Sequence, residues 1–290
     1  MWELENLVVE LDGPVATITL NRPEKLNAIS DAMRDDLDDA LARLNPGDGI
    51  RVIRVRGAGR AFSPGYDMTA GYTVSRDSAP GDPASAGTLA GFGEARISTD
   101  REYLRGSIDR WLRIWNYRKP IFAQVHGLCF SGALDLIGAC DIVFAAAGTR
   151  FGHPASRVNG LPVMVGTLPM KIGAAATKEL LFTGDELDAD DAARLGLISH
   201  VVPEDELDER TLAFCRRVAL LPLDALTMHK HVTNRALELM NVRLAALEGA
   251  EFDAMFHETP AKEEFFRIAK TDGLKTAIAW RDGPFKTESS

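Results

Sequence analysis

The feature that most limits what this chain can become is a change of rhythm at Pro203. Before it, apolar strands alternate with amphipathic helices; after it the strand signal fades and helical patterns dominate. Residues 7–11 and 15–20 run apolar around Asp12-Gly13-Pro14 and predict a hairpin. Ser30 predicts the cap of a helix whose Met33, Leu37, Ala40, Leu41 and Leu44 share one face. Asn45-Pro46-Gly47-Asp48-Gly49 ends that helix, and residues 50–55 predict a strand. Further strands are expected at 121–125, 141–146 and 197–202. Helices are expected at 101–117, 131–139, 174–182 and 190–195. This order suggests an α/β core with a helical C-terminal extension, divided as residues 1–203 and 204–290. Residues 70–99 are rich in Gly, Ala, Ser and Pro with little periodicity, and read as a mobile surface loop able to cover a site.

Composition narrows the classes of function. The net charge of -9 argues against a general affinity for nucleic acid or anionic membrane, both of which need basic surface. A local basic pocket for a phosphorylated ligand remains compatible with it. Cys129, Cys140 and Cys215 are odd in number and form no CxxC pair, so they read as reduced thiols. The segment Met1-Trp2-Glu3-Leu4-Glu5-Asn6 is acidic and lacks the pattern of a signal peptide. Apolar runs such as residues 142–147 are too short to span a bilayer, and a cytoplasmic location is expected.

Two stretches are built to leave backbone N–H groups unpaired. One is Gly59-Arg60-Ala61-Phe62-Ser63-Pro64-Gly65-Tyr66-Asp67, in which Ser63-Pro64-Gly65-Tyr66 fits a type II turn. The Tyr66 N–H either closes that turn on Ser63 or stays free. The other, Val125-His126-Gly127-Leu128-Cys129-Phe130-Ser131-Gly132-Ala133-Leu134-Asp135, runs from an apolar strand into a helix. Ser131 suits the N-cap there, so the Gly132 N–H is one of the helix's orphan donors. Asp135 either complements the helix dipole or serves chemistry. Two such donors converging on one carbonyl oxygen would stabilise an enolate or tetrahedral intermediate, which makes thioester chemistry the first hypothesis. Other motifs do not compete. Gly127 to Gly132 lacks the Lys-Ser/Thr of a P-loop, and neither a GxGxxG after a strand nor a GxSxG elbow is present. His229 and His231 fall on different helix faces, so no metal site is expected from them.

In combination these stretches resemble the crotonase family, also called the enoyl-CoA hydratase/isomerase family. Asn21-Arg22-Pro23-Glu24-Lys25-Leu26-Asn27-Ala28 resembles its N-terminal signature, residues 59–68 its first oxyanion segment, and residues 126–142 its second, ending in Cys140-Asp141-Ile142. Phe151-Gly152-His153-Pro154, Glu179-Leu180-Leu181-Phe182-Thr183-Gly184, Gly196-Leu197-Ile198 and Val202-Pro203 follow in the family's order. The resemblance implies a crotonase/ClpP-like spiral of ββα units with a helical C-terminal region that assembles trimers, often as a dimer of trimers. It implies that the peptide N–H groups of Tyr66 and Gly132 hold the thioester oxygen of an acyl-CoA. Lys25, Leu26 and Ala28 would lie along the CoA, with the adenine near a loop such as Ala61 to Asp67. Coenzyme A would enter as part of the substrate, with no metal or redox cofactor.

The departures bear on mechanism. Hydratases of this family use two glutamates to hold one water. Here the first position is Asp135, one methylene shorter, and the second is Ala155, which can neither give nor take a proton. His153 is the candidate substitute, since residues 153 and 155 of an extended segment point to the same side. A packing role for it is the other reading. His126 reads as structural, and the Tyr66 hydroxyl has no direction legible in sequence. The expected function is that of an enoyl-CoA hydratase-like enzyme. The alternatives are isomerisation, C–C hydrolysis or dehalogenation on the same scaffold, or a non-catalytic acyl-CoA-binding protein. Leu89, Phe92, Trp111 and Trp115 suggest an apolar acyl pocket, or helix packing for the tryptophans. Phe252, Met255, Phe256, Phe265 and Phe266 look excessive for an isolated extension and predict an interface.

Overall fold

A computed structural model describes residues 1–68 and 94–286. Strands β1 (Trp2–Glu3), β2 (Leu7–Asp12) and β3 (Val15–Leu20) form an antiparallel meander, with the predicted hairpin between the last two. Helix α1 (Asp31–Leu44) packs against β2 and β3 through the five apolar residues its periodicity marked out. The Ser30 hydroxyl accepts the Met33 N–H at 3.1 Å and so fixes where the helix starts. Strand β4 (Val52–Gly57) follows, then α2 (Glu94–Trp115), β5 (Ile121–Val125), β6 (Leu128–Phe130) and α3 (Gly132–Ala139). Next come β7 (Ile142–Ala146), β8 (Arg150–Gly152), α4 (Thr167–Thr183), β9 (Glu186–Asp188), α5 (Ala189–Leu195) and β10 (His200–Val202).

The strands divide between two sheets. The larger has the order β1-β2-β3-β4-β5-β7-β10, parallel from β3 onward, and the smaller has the order β6-β8-β9. Parallel neighbours need crossovers, which the intervening helices supply. The units β5-β6-α3 and β7-β8-α4 repeat one theme: a strand in the large sheet, a strand in the small one, then a helix. This is the expected spiral of ββα units. β3 and β5 are buried along their whole length, as strands covered on both faces must be.

After Pro203 the described chain is helical: α6 (Leu207–Val218), α7 (Leu223–Glu238), α8 (Val242–Phe256), α9 (Pro260–Asp272) and α10 (Leu274–Asp282). α6 lies on the large sheet, where Cys215 and the following Ala219 pack with Val15, Val52 and Phe122. α7 is tied down by Lys230, whose ammonium lies 2.8 Å from Asp141, and by Asn234, which donates to the Trp115 carbonyl at 2.7 Å. α8 runs along α2, and α9 with α10 encloses Phe265 and Ala277 against Val158.

Several expectations need correction. The predicted loop over residues 70–99 ends early, because α2 already begins at Glu94; its remainder, with Leu89 and Phe92, lies outside the described residues. The helix expected at 174–182 is the second half of α4, which starts at Thr167 and breaks at Gly173, where φ is 77°. The last strand of the core spans only His200–Val202. Phe265 is fully buried and meets Phe266 edge-on, so these two serve the α9–α10 hairpin; Phe252 and Met255 remain exposed. Cys129, Cys140 and Cys215 are all free thiols in the interior.

Candidate active site

β4 and β5 are parallel neighbours, so the loops that follow them leave the same end of the sheet. There the two loops interlock. The Phe62 N–H donates to His126 O at 2.8 Å, Ser63 N–H to Leu128 O at 3.0 Å, and Phe130 N–H to Ser63 O at 3.2 Å. That last bond matters, because Ser63 O is the acceptor the Tyr66 N–H would need to close its own turn. Gly65, at φ 102°, turns the chain as the type II reading requires, with its N–H on the Ser63 hydroxyl at 3.1 Å. The residues on either side of Tyr66 are engaged with Ile29, which donates to Gly65 O and accepts from Asp67 N–H. The Tyr66 N–H between them has no hydrogen-bond partner among the described residues.

The second loop delivers a matching donor. Ser131 adopts φ 50° and ψ -117°, a conformation that L-residues rarely hold and that costs about 1–3 kcal/mol. Its side chain makes no cap bond, contrary to expectation; instead its N–H is fixed to Gly152 O at 2.9 Å. Helix α3 then opens with the Gly132 N–H, which is likewise unpaired among the described residues. The two loops touch backbone to backbone: a Cβ on Gly65 would lie 2.9 Å from the Gly132 nitrogen. The two loops thus bring two amides that are unpaired among the described residues onto adjoining stretches of backbone.

One turn into α3 sits Asp135, 2% exposed. Its Oδ1 accepts the Met164 N–H at 2.8 Å and its Oδ2 accepts the Tyr66 hydroxyl at 3.0 Å. The Trp111 indole N–H donates to that same hydroxyl oxygen at 2.8 Å, so three side chains form a directed chain Trp111–Tyr66–Asp135. Burial pushes the Asp135 carboxyl up to about 7, while the Met164 amide and the Tyr66 hydroxyl pull the other way. Burial, and then the Asp135 charge, push the Tyr66 phenol well above its ordinary value, which keeps it a proton donor. The Tyr66 ring lies over Gly132, where a Cβ would come within 2.7 Å of it, and the Arg34 guanidinium sits 5.5 Å from the ring centre. A carboxyl balanced near neutrality can both take and return a proton at physiological pH.

The residues expected to line a nucleotide do come together at one corner. Asn27, fully buried, donates to Ala58 O and Ala61 O and accepts the Arg22 N–H, which ties the first motif to the loop after β4. Asp67 Oδ2 lies 2.9 Å from Arg22 and 3.6 Å from the half-exposed Lys25. Ala28 and Ala61 are buried, so they could offer a ligand only their main chain; Lys25 and Leu26 present side chains. His153 is 2% exposed and burial pushes its imidazole down to about 4, so it is neutral at pH 7. Its Nδ1 has no partner among the described residues, and the side-chain bonds of Asp135 run elsewhere. Ala155 sits in the 3-10 turn Pro154–Arg157. His126 is structural, with Nε2 2.8 Å from Gly59 O. Sequence reasoning missed the polar role of Trp111, whose buried N–H had to find an acceptor. It also missed Met164, a backbone contact that leaves no trace in composition.

Known proteins resemble this chain over most of its length. A family model described as enoyl-CoA hydratase/isomerase matches residues 10–81 and 84–272. A putative enoyl-CoA hydratase of Mycobacterium tuberculosis is 36% identical over 244 residues, covering 82% of this chain and 75% of its own. A probable enoyl-CoA hydratase of Rhizobium meliloti is 31% identical over 284 residues, covering 97% and 98%. Among solved structures, an enoyl-CoA hydratase/isomerase from Xanthobacter autotrophicus Py2 superposes with a TM-score of 0.84 at 32% identity, over 97% of this chain and 99% of that one. An enoyl-CoA hydratase from Mycobacterium smegmatis gives 0.87 at 30% identity, over 97% and 94%.

Proposed function

The chain belongs to the enoyl-CoA hydratase/isomerase family, and from that premise we propose an enzyme that makes and quenches an enolate on an acyl-CoA thioester. The observation that carries this reading is the pair of unpaired amides, Tyr66 N–H and Gly132 N–H, beside a single buried carboxyl. The thioester oxygen lies between the amides. Asp135 takes the α-proton: the C–H bond breaks, an O–H bond forms on the carboxylate, and the electron pair moves to the oxygen the amides hold. Reprotonation from Asp135 closes the cycle. Lys25 supplies a point charge for a CoA phosphate, and Leu26, Ala28, Ala61 and Asp67 shape the corner around it. The amides and one carboxyl suffice for this step, so coenzyme A enters only as part of the substrate.

Two outcomes of the enolate divide the proposal. The names of the relatives favour hydration. The single carboxyl, with alanine at position 155 and a neutral His153, favours a reaction that moves one proton, such as double-bond isomerisation. The assay follows α-hydrogen exchange of an acyl-CoA in deuterated water, with crotonyl-CoA hydration and 3-enoyl-CoA isomerisation measured alongside. Exchange abolished by Asp135→Asn supports the mechanism; binding without exchange would make the protein a carrier.

The proposal extends to assembly and location. Residues 1–203 serve as the spiral core and 204–290 as the assembly region of a homotrimer or dimer of trimers. On α7, Met228 and Val232 are exposed one turn apart, and Phe252 and Met255 are exposed on α8, as an uncovered interface would be. No described helix is long and apolar enough to cross a membrane, and the three buried free thiols suit a reducing cytoplasm.

A further inference from the structure

Behind Asp135 lies a second buried carboxyl that the reaction above does not use. Asp253, on α8, is 3% exposed, and its Oδ1 accepts the Leu161 N–H at 2.6 Å. Three residues along the same loop, the Met164 N–H is the one that holds Asp135 Oδ1 at 2.8 Å. The loop is therefore gripped at both ends by interior carboxyls from two different helices. Gly160 allows the close approach, since a Cβ there would lie 2.9 Å from both Asp253 Oδ1 and His257 Nε2.

Asp253 is itself part of a polar cluster that joins three helices. His257 Nε2 lies 3.3 Å from Asp253 Oδ1, and its Nδ1 lies 2.6 Å from Asp100 Oδ2 on α2. Lys262 from α9 is buried beside them, facing Asp253, Asp100 and Glu258, and burial holds its ammonium down at about 8. Toward the reaction centre, Asp135 is faced by the Tyr66 hydroxyl from the loop after β4, and Arg34 from α1 stands against the same tyrosine ring. Buried like charges repel across a medium that screens them poorly, and each opposes ionisation of the other. Burial is the main force raising the Asp135 carboxyl, the charge of Asp253 adds a smaller push in the same direction, and burial raises Asp253 as well.

We propose that Asp253 is a positioning residue for proton transfer at Asp135: it anchors the Leu161–Met164 loop from behind, and its negative charge acts on Asp135 through that loop. The inference rests on the reading of Asp135 as the base. Trp111 on α2 restrains one oxygen of Asp135 through the Tyr66 hydroxyl, and Asp253 restrains the other through the loop, so the carboxyl is aimed from two sides.

Asp253→Asn keeps an oxygen for the Leu161 N–H and removes the charge. Its rate of α-hydrogen exchange, measured by NMR against pH, should show an acid limb about half a pH unit or more below that of the unmodified protein. The sign follows because a base relieved of a neighbouring negative charge stays ionised at lower pH. A rate that falls uniformly with the limb in place, or does not change at all, overturns the proposal. Asp253→Ala also removes the anchor and should lower kcat more than it alters KM; a change confined to KM overturns the anchoring role. Asp135→Asn separates the two readings. If it exchanges as fast as the unmodified protein, the base assignment fails; if it is inactive while Asp253→Asn leaves the limb in place, only the present inference fails. Should Asp253→Asn not fold, the acid limb of Asp253→Ala decides: a limb at lower pH supports the charge effect, and one left in place overturns it.

Discussion

Asp135→Asn should abolish proton transfer and at the same time make the folded protein more stable at neutral and basic pH. The carboxyl titrates near 3.8 in an unfolded chain and about 7 in the folded one. Folded protein therefore holds this proton more tightly. The stability the group contributes is fully present below about pH 4 and is lost as pH rises through about 7. Three pH units at 1.36 kcal/mol each make the loss about 4 kcal/mol, of which about 3 kcal/mol falls between pH 5 and 8. Against a typical net stability of about 5–15 kcal/mol, that is a large share. Asparagine does not titrate, and it suits the site otherwise: its oxygen can accept the Met164 N–H and its amide can donate to the Tyr66 oxygen. Titrating groups that do not face Asp135 are common to both proteins and cancel in the difference. The assay is urea unfolding of both proteins at pH 5, 6.5 and 8, at one protein concentration so that assembly does not intrude. A stability difference that grows with pH in favour of the asparagine variant is expected. One that stays flat within about 1 kcal/mol would refute the burial argument and with it the idea of a carboxyl poised for both halves of a proton transfer.

Tyr66→Phe strands the Trp111 N–H and removes a donor from Asp135; the acid limb of the exchange profile should move to higher pH, and stability should fall by about 1–3 kcal/mol. A limb that does not move refutes the role of the hydroxyl. Ala155→Glu should raise crotonyl-CoA hydration at least tenfold, toward the roughly 10²–10⁴-fold that a placed acid or base supplies. No gain in the steady-state rate would show that the missing carboxylate is not what limits hydration. Sedimentation at micromolar concentration should find a trimer or hexamer, and a stable monomer would contradict the assembly role of the helices after Pro203.

Much of this was legible in the residues because local rules set it. The Ser30 cap, the hairpin at Gly13 and the free amide of Gly132 follow from turn and helix-end chemistry within a few positions of each other. What escaped is what depends on distant partners. The direction of the Tyr66 hydroxyl is set by Trp111 on a helix 45 positions away, and the loop that holds Asp135 is gripped by Asp253, 92 positions beyond Leu161. Ser131 holds the N-cap position as expected, but its side chain makes no cap bond, because the usual preference for serine there assumes ordinary backbone angles and this serine sits at φ 50°. Phe265 was misread as surface because two short helices can close a small core of their own, which a count of aromatic residues does not reveal.

The backbone contact between Gly65 and Gly132 has a consequence for how this region could be exchanged or redesigned. With no side chains between them, neither loop has slack to absorb a change in the other: a Cβ on Gly65 meets Phe130 O at 2.7 Å, and one on Gly132 meets the Tyr66 ring at the same distance. The two stretches behave as a single mechanical part that happens to be encoded in two places. A graft from a relative that replaces residues 59–67 alone would import a partner shaped for a different surface. Both stretches would have to travel together, as one cassette, for the pair of amides to arrive in register.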